Sequence, residues 1–184
     1  NTRRVSTTDA RAVWLTRNLL KWPQADDFGT FKLYHSASGQ IIAPRGQPVS
    51  GADGALTLQP GGSVPAAAAE RFKYVDAGAV LAVNAADEAR LGDLLKHQVV
   101  LVQEDADGKV LAATTTQIAG MLDERYAAAE NIDDLGVSVR HGRAGFKLWA
   151  PTARKVTLCT YGAQGVAHSE DAMTFDAGTG VWGF

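Results

Sequence analysis

Residues 99–114 read VVLVQEDADGKVLAAT, two strand-like runs on either side of Asp105-Ala106-Asp107-Gly108. Gly108 can take the positive φ that a short connection requires, and Asp and Gly are standard turn chemistry, so this stretch is predicted to be a β-hairpin. The same punctuation recurs along the chain. Short alternating runs are separated by clusters of Gly, Pro, Asp and Ser, a pattern that favours antiparallel sheets over βαβ units. Strands are expected at about 11–15, 30–35, 55–59, 79–83, 99–103 and 109–116.

Two segments depart from this pattern. VPAAAAERF places Pro65 at a first helical turn ahead of alanines, the best helix formers. NAADEARLGDLLKHQ offers Asn84 as a cap, acids in the first turn and Leu91, Leu94 and Leu95 at helical spacing, weakened by Gly92. PRGQPVSGADG at 44–54 reads as a long surface loop. At 117–134, QIAGMLDERYAAAENIDD is helical or irregular and marks a domain boundary. Beyond it LGVSVR, the turn HGRAG, FKLWA, KVTLCTY, AMTF, the turn DAGTG and VWGF restore the β pattern.

Composition narrows the function classes. The longest apolar runs, such as VVLVQ, fall far short of a membrane span, so no membrane span is expected. A net charge of −2 gives no footprint for a polyanion, and no nucleic-acid partner is expected. The lone Cys159 excludes an internal disulfide and, on a predicted strand, reads as a buried inert thiol. The opening NTRRVSTTDARA has no apolar stretch of the kind a secretory signal carries, so a signal is expected to have been removed or never present, which leaves the compartment open.

Specific motifs go further. LGVSVRHGRAGFKLWAPTARKVTLCTYG resembles the opening of a carbohydrate-binding module of family forty-eight, found ahead of the catalytic barrel in debranching and branching enzymes of the α-amylase superfamily. ARAVWLTRNLLKWP, LLKHQVVLVQEDADGKVLAATTTQIAGMLDERYA and TGVW are similar to the N-terminal domain and adjoining module of pullulanase-type α-1,6-glucosidases, including plant limit dextrinases. The resemblance runs in order from about residue 9 to the end. That makes it more specific than LWAP alone, which fits isoamylases and glycogen branching enzymes equally well.

The fold expected on this basis is all-β: two consecutive immunoglobulin-like β-sandwiches, the second incomplete, with one or two short helices in the first. Residues 1–8 form a polar tail, 9–125 the first domain, 126–134 a linker and 135–184 the first half of the module. About fifty residues follow the boundary, whereas such a sandwich needs roughly seven strands and a hundred residues, so the chain is expected to stop inside a domain.

In FKLWAP, alternation puts Phe146, Leu148 and Ala150 on one face and Lys147 and Trp149 on the other. Pro151 ends the ladder, and the chain is expected to turn there so that KVTLCTY pairs back. The resemblance implies a module edge whose second face packs on a neighbouring domain, with Trp149 as an interdomain anchor rather than a sugar platform. Trp22 and Trp182 are the candidates for stacking on a glucose face; burial in a core is the competing reading of both.

The resemblance implies a parent enzyme that hydrolyses α-1,6 linkages in pullulan, amylopectin or limit dextrin with two carboxylates about 5 Å apart in a retaining site. None of the superfamily's catalytic motifs occurs here, so the chain is expected to carry no catalytic residue. QEDADG and NIDD read as solvated acids of a hairpin turn and a linker, and EDADG lacks the downstream Glu of an EF-hand. His35, His97, His141 and His168 are scattered without zinc-ligand spacing and are expected at the surface. Ser36 and Ser38 beside His35 make no triad, and Gly61-Gly62 has no following Lys-Ser/Thr. No metal and no cofactor are expected. The partners implied are branched α-glucan (pullulan, amylopectin, limit dextrin) and the remainder of the same enzyme, including its barrel. A non-enzymatic glycogen-targeting module and a protein-recognising sandwich are the competing classes, and the long LLKHQ to DERYA stretch argues against both.

Overall fold

The computed structural model describes residues 9–184. They form a mostly β structure of several antiparallel sheets, in two compact units that divide between Arg125 and Tyr126.

The first unit carries, in chain order, β1 (Ala12–Trp14), β2 (Leu19–Pro23), β3 (Thr30–Ser36), β4 (Gly54–Thr57), β5 (Gln59–Pro60), α1 (Ala66–Arg71), β6 (Gly78–Ala82), α2 (Leu91–Leu94), β7 (Gln98–Glu104), β8 (Val110–Thr114), β9 (Thr116–Gln117) and α3 (Ala119–Arg125). One sheet runs β5-β6-β2-β1-β9, the other β4-β3-β7-β8. Every pairing is antiparallel except β1 with β9, where Ala12 aligns with Thr116. Alternation along β3 turns Phe31 and Leu33 inward and Lys32 and Tyr34 outward. One apolar cluster draws Trp14, Leu20, Trp22 and Leu81 from the first sheet and Phe31, Leu33, Leu56 and Leu101 from the second. Each such side chain contributes about 1.5–3 kcal/mol on burial.

Both outer faces are also covered. Helix α1 lays Ala68 over Val13, Leu15 and Leu19. The segment from Ile41 to Ala52, closed by an Ile42–Ser50 bridge, packs Val49 and Ala52 over Val100, Val102 and Val110. The stretch expected as a surface loop therefore has an apolar underside. Strand β2 escaped the sequence pattern for the same reason. Leu19 faces the helix while Leu20 and Trp22 face the core, so apolar residues occupy both parities and no alternation remains.

The helix expected from Asn84 shrinks to a 3-10 turn at Glu88–Arg90 and the single turn α2. Asn84 caps a turn through its Oδ1, which accepts from the Ala86 N–H. A Cβ at Gly92 would lie 2.6 Å from the Arg125 guanidinium, which would have to swing aside to admit one. The strand expected over 109–116 breaks at Thr115, where the chain leaves one sheet for the other. Thr114 Oγ1 fixes the crossing by accepting from Arg11 N–H and donating to the Asp9 carbonyl.

The second unit carries a 3-10 turn at Ala127–Asn131, then β10 (Gly136–Arg140), β11 (Arg143–Trp149), β12 (Thr157–Tyr161), β13 (Ala167–Ala172), β14 (Thr174–Asp176) and β15 (Val181–Gly183). The sheets are β10-β11-β15-β14 and β12-β13. HGRAG contracts to a two-residue turn. Arg140 pairs with Arg143, and His141 and Gly142 both take left-handed φ, 54° and 75°, as a turn matched to strand twist requires.

KVTLCTY does not pair back on FKLWA. After Pro151 the Ala153 N–H closes a turn on the Ala150 carbonyl, and β12 pairs with β13 while β11 takes β15 as its neighbour. AHSEDA gave no strand signal because both of its faces are largely exposed. The same two-stranded setting leaves Cys159 exposed, contrary to the buried thiol expected.

Candidate functional site

The sheet of the second unit sorts its side chains by register. Val137 lies opposite Phe146 and Val139 opposite Ala144, while Leu148 lies opposite Trp182, which lies opposite Phe175. Alternation places all of them on one face, with Phe184 continuing the row. That face is entirely apolar. Its outer part is open: Val137 and Val139 are 65% and 70% exposed, and Leu148 and Phe184 are about half exposed. A row of open apolar side chains along one sheet face is the usual mark of an interaction surface.

The opposite face is polar apart from Trp149 and its cross-strand neighbour Val181. Trp149 is 36% exposed, and its Nε1–H donates to the Thr179 carbonyl at 3.0 Å, which fixes the ring while leaving part of it open. Beside it Lys147 Nζ donates to Asp134 Oδ1 at 2.6 Å, with the Arg140 guanidinium 3.8 Å from the other carboxylate oxygen. The Lys147 hydrogen bond holds the Asp134 carboxyl below its ordinary value. Asp176 is lowered likewise, chiefly by the Gly178 backbone N–H and then by the Thr179 hydroxyl.

The other two tryptophans singled out by the sequence lie in cores. Trp22 is 1% exposed and sets its ring against the Phe31 ring at 6.1 Å, edge to face. Trp182 is also buried, donates from Nε1 to the Ala150 carbonyl and sits 5.0 Å from Phe175. Neither ring presents an open face to a ligand.

The acids of QEDADG divide. Asp105 Oδ1 accepts from the Asp107 and Lys109 backbone N–H groups and shapes the hairpin turn. Glu104, read from the sequence as a solvated turn acid, is buried instead. It shares the outward parity of Val100 and Val102, and its carboxylate takes the Tyr34 hydroxyl at 2.6 Å and Lys32 Nζ at 2.7 Å. Burial, then the Glu104 hydrogen bond, push Tyr34 up to about 12. The signal that could have found this site is the matching parity of Glu104 with Lys32 and Tyr34 on adjacent strands. Its neighbour Gln103 faces the other way, buried, and donates to the carbonyls of Asp26 and Phe28.

The histidines divide too. His141 and His168 are exposed, but His35 and His97 are partly buried with rings 6.3 Å apart, and both nitrogens of His35 are enclosed without a hydrogen-bond partner among the described residues. The surface position expected for them fails because β3 and the turn after α2 bring the two rings together. Among the described residues no group of three or more His, Cys, Asp or Glu is placed to hold a metal ion, and no helix is long and apolar enough to cross a membrane.

Residues 9–124 match the family model of the pullulanase N2 domain. The pullulanase of Klebsiella pneumoniae is 32% identical over 173 residues, covering 94% of this chain and 15% of that protein. The chloroplastic pullulanase 1 of Arabidopsis thaliana is 29% identical over 153 residues, 83% of this chain and 15% of that protein. Among solved structures, PulA from Klebsiella oxytoca superposes with a TM-score of 0.84 at 32% identity, over 96% of this chain and 16% of its own. A Klebsiella pneumoniae pullulanase complexed with maltotriose superposes with a TM-score of 0.83 at 29% identity, over 96% and 16%. The chain thus spans roughly a sixth of the length of these relatives.

Proposed function

Because this chain belongs to the pullulanase N2 domain family, we propose that it is the non-catalytic N-terminal portion of an α-1,6-glucan debranching enzyme of the pullulanase type and that its work is mechanical. In this reading both units are immunoglobulin-like sandwiches. The second is completed by further strands of the enzyme, which cover the face bearing Val137, Val139 and Leu148, and residues 126–134 act as the connection between the two.

The observation that carries the proposal is that wholly apolar, half-open face on a sheet whose other face is polar. Half or more of each such side chain is left in water, forgoing about half of the roughly 1.5–3 kcal/mol of full burial, so a covering element gains stability by docking there. Trp149, on the second face, is the anchor to a neighbouring domain, its indole already oriented by the Thr179 carbonyl. The carboxylates singled out by the sequence serve the hairpin turn, a buried ion pair and the Lys147 contact, so the chemistry of branch hydrolysis falls to the catalytic barrel.

The test is a pullulan hydrolysis assay on the enzyme that contains this segment, with Val139→Asp and Leu148→Asp combined. The expected result is a shortened half-life on heating with KM for pullulan unchanged. A raised KM with unchanged thermal half-life would transfer the face from support to substrate contact.

A further inference from the structure

We propose that the outer edge of β10 pairs with the same edge of a second copy of this chain, joining two sheets through a two-fold antiparallel contact. Strand β10 ends the order β10-β11-β15-β14, and among the described residues no strand lies on its other side. Which of its backbone groups are open follows from β11. The Phe146 N–H and C=O both bond to Phe184, toward β15, so Val137 and Phe146 form a non-hydrogen-bonded pair. The two-residue turn gives the same phase: the flanking Arg140–Arg143 pair takes the hydrogen bonds, and Val139–Ala144 does not. Val137 and Val139 therefore aim their N–H and C=O groups away from β11, where these meet no partner among the described residues. Both side chains are largely exposed, and an open edge carrying apolar side chains is a template for a further strand.

Register and charge select the occupant. Gly136, at φ 93°, turns the chain out of the extended line, so the new ladder has to close within 137–140. An antiparallel copy centred on Ser138 does this. Val137 then lies opposite the partner's Val139 and Val139 opposite the partner's Val137, so the open N–H and C=O of both valines are paired in both copies. The valine side chains meet on one face as cross-strand neighbours. The strand is also preceded by Asp133 and Asp134 and closed by Arg140 and Arg143. Antiparallel self-pairing sets the basic end of one copy beside the acidic end of the other. Arg140, exposed and 3.8 Å from its own Asp134, comes next to the partner's Gly136 and the partner's Asp134. A parallel copy would set like charges side by side. Because the contact is isologous it closes as a dimer. It lies in the plane of the sheet and leaves the apolar face open, so it holds whatever covers that face.

Sedimentation velocity on the 184-residue chain, from roughly 1 µM to 1 mM, covers the span in which a small interface associates. The expected result is a concentration-dependent equilibrium between monomer and dimer. Val139→Pro removes an outward N–H, keeps an apolar side chain and is compatible with an edge strand. It should weaken association roughly ten-fold or more, since each copy loses a backbone hydrogen bond. Register is read by cysteine pairing in a Cys159→Ser background. Ser138 faces the partner's Ser138 across a non-hydrogen-bonded pair, about 4.5 Å between Cα atoms, so Ser138→Cys should give a disulfide-linked dimer under mild oxidation. Val137→Cys, offset from its counterpart by two positions, should stay largely monomeric. A chain that is monomeric throughout would overturn the proposal. So would association that Val139→Pro leaves unchanged, or cross-linking of the Val137→Cys variant as fast as that of Ser138→Cys, both of which would move the contact to the apolar face.

Discussion

Lys32 Nζ lies 2.7 Å from the carboxylate of Glu104, which is only 1% exposed and also holds the Tyr34 hydroxyl. Two strands of one sheet are thereby tied through a charge that water scarcely reaches. Removing the acid leaves Lys32, itself about a third exposed, and Tyr34 without their partner. Glu104→Ala is expected to cost about 2–3 kcal/mol, below the roughly 3–5 kcal/mol for breaking a fully buried pair because Lys32 keeps some solvation. Urea denaturation followed by tryptophan fluorescence checks this. Glu104→Gln should lose less, since the amide oxygen still accepts from Tyr34.

A pH dependence follows from His35. Burial first, then the charge of Arg90 and the neighbouring His97, lower its folded-state value, with Asp53 opposing. The folded chain therefore favours the neutral ring, while the unfolded chain takes up a proton at the ordinary value of about 6.5. The contribution is fully present above that value and is lost as pH falls through the lower folded-state value. The urea midpoint of the first unit is expected to drop as pH falls from about 7 to about 5, and His35→Gln should flatten that slope. An identical slope in the variant would assign the loss to other groups.

Strand amides of the two units should differ in hydrogen exchange. The β7 strand is covered on both faces, whereas β11 has one face half open and its neighbour β10 is a sheet edge. In a monomeric sample of the 184-residue chain, amides of 146–149 are expected to exchange faster than those of 99–104. Equal protection would show that the second unit needs no covering element.

Trp149→Ala separates an anchor from a sugar platform. In the isolated chain the ring is 36% exposed, and its truncation should cost about 1–2 kcal/mol. Within the longer enzyme, where the proposed neighbour covers it, the loss should approach the roughly 3–5 kcal/mol of a buried aromatic. Equal losses in both settings, or unchanged melting with weakened dextrin affinity, would end the anchor assignment.

Local pattern carried the elements that bury one face. The alternation of Phe31 and Leu33 located β3, the Asp-Ala-Asp-Gly turn located the β7–β8 hairpin, and the parity of Phe146 and Leu148 located the apolar face of β11. Leu19 and Leu20, covered on opposite sides, and AHSEDA, covered on neither, show no alternation, and their strands left no signal in the chain. Which strand neighbours which was decided by folding. KVTLCTY chose β13, Val137 and Val139 joined the face of Leu148 through the register of a two-residue turn, and Trp22 went inward. Glu104 was buried and the loop before β3 was pinned by Gln103 for the same reason: the partners of both lie some seventy residues away. Side-chain periodicity reports how many sides of an element are shielded from water, whereas the identity of the shield is set by long-range contacts that leave no mark in the local run.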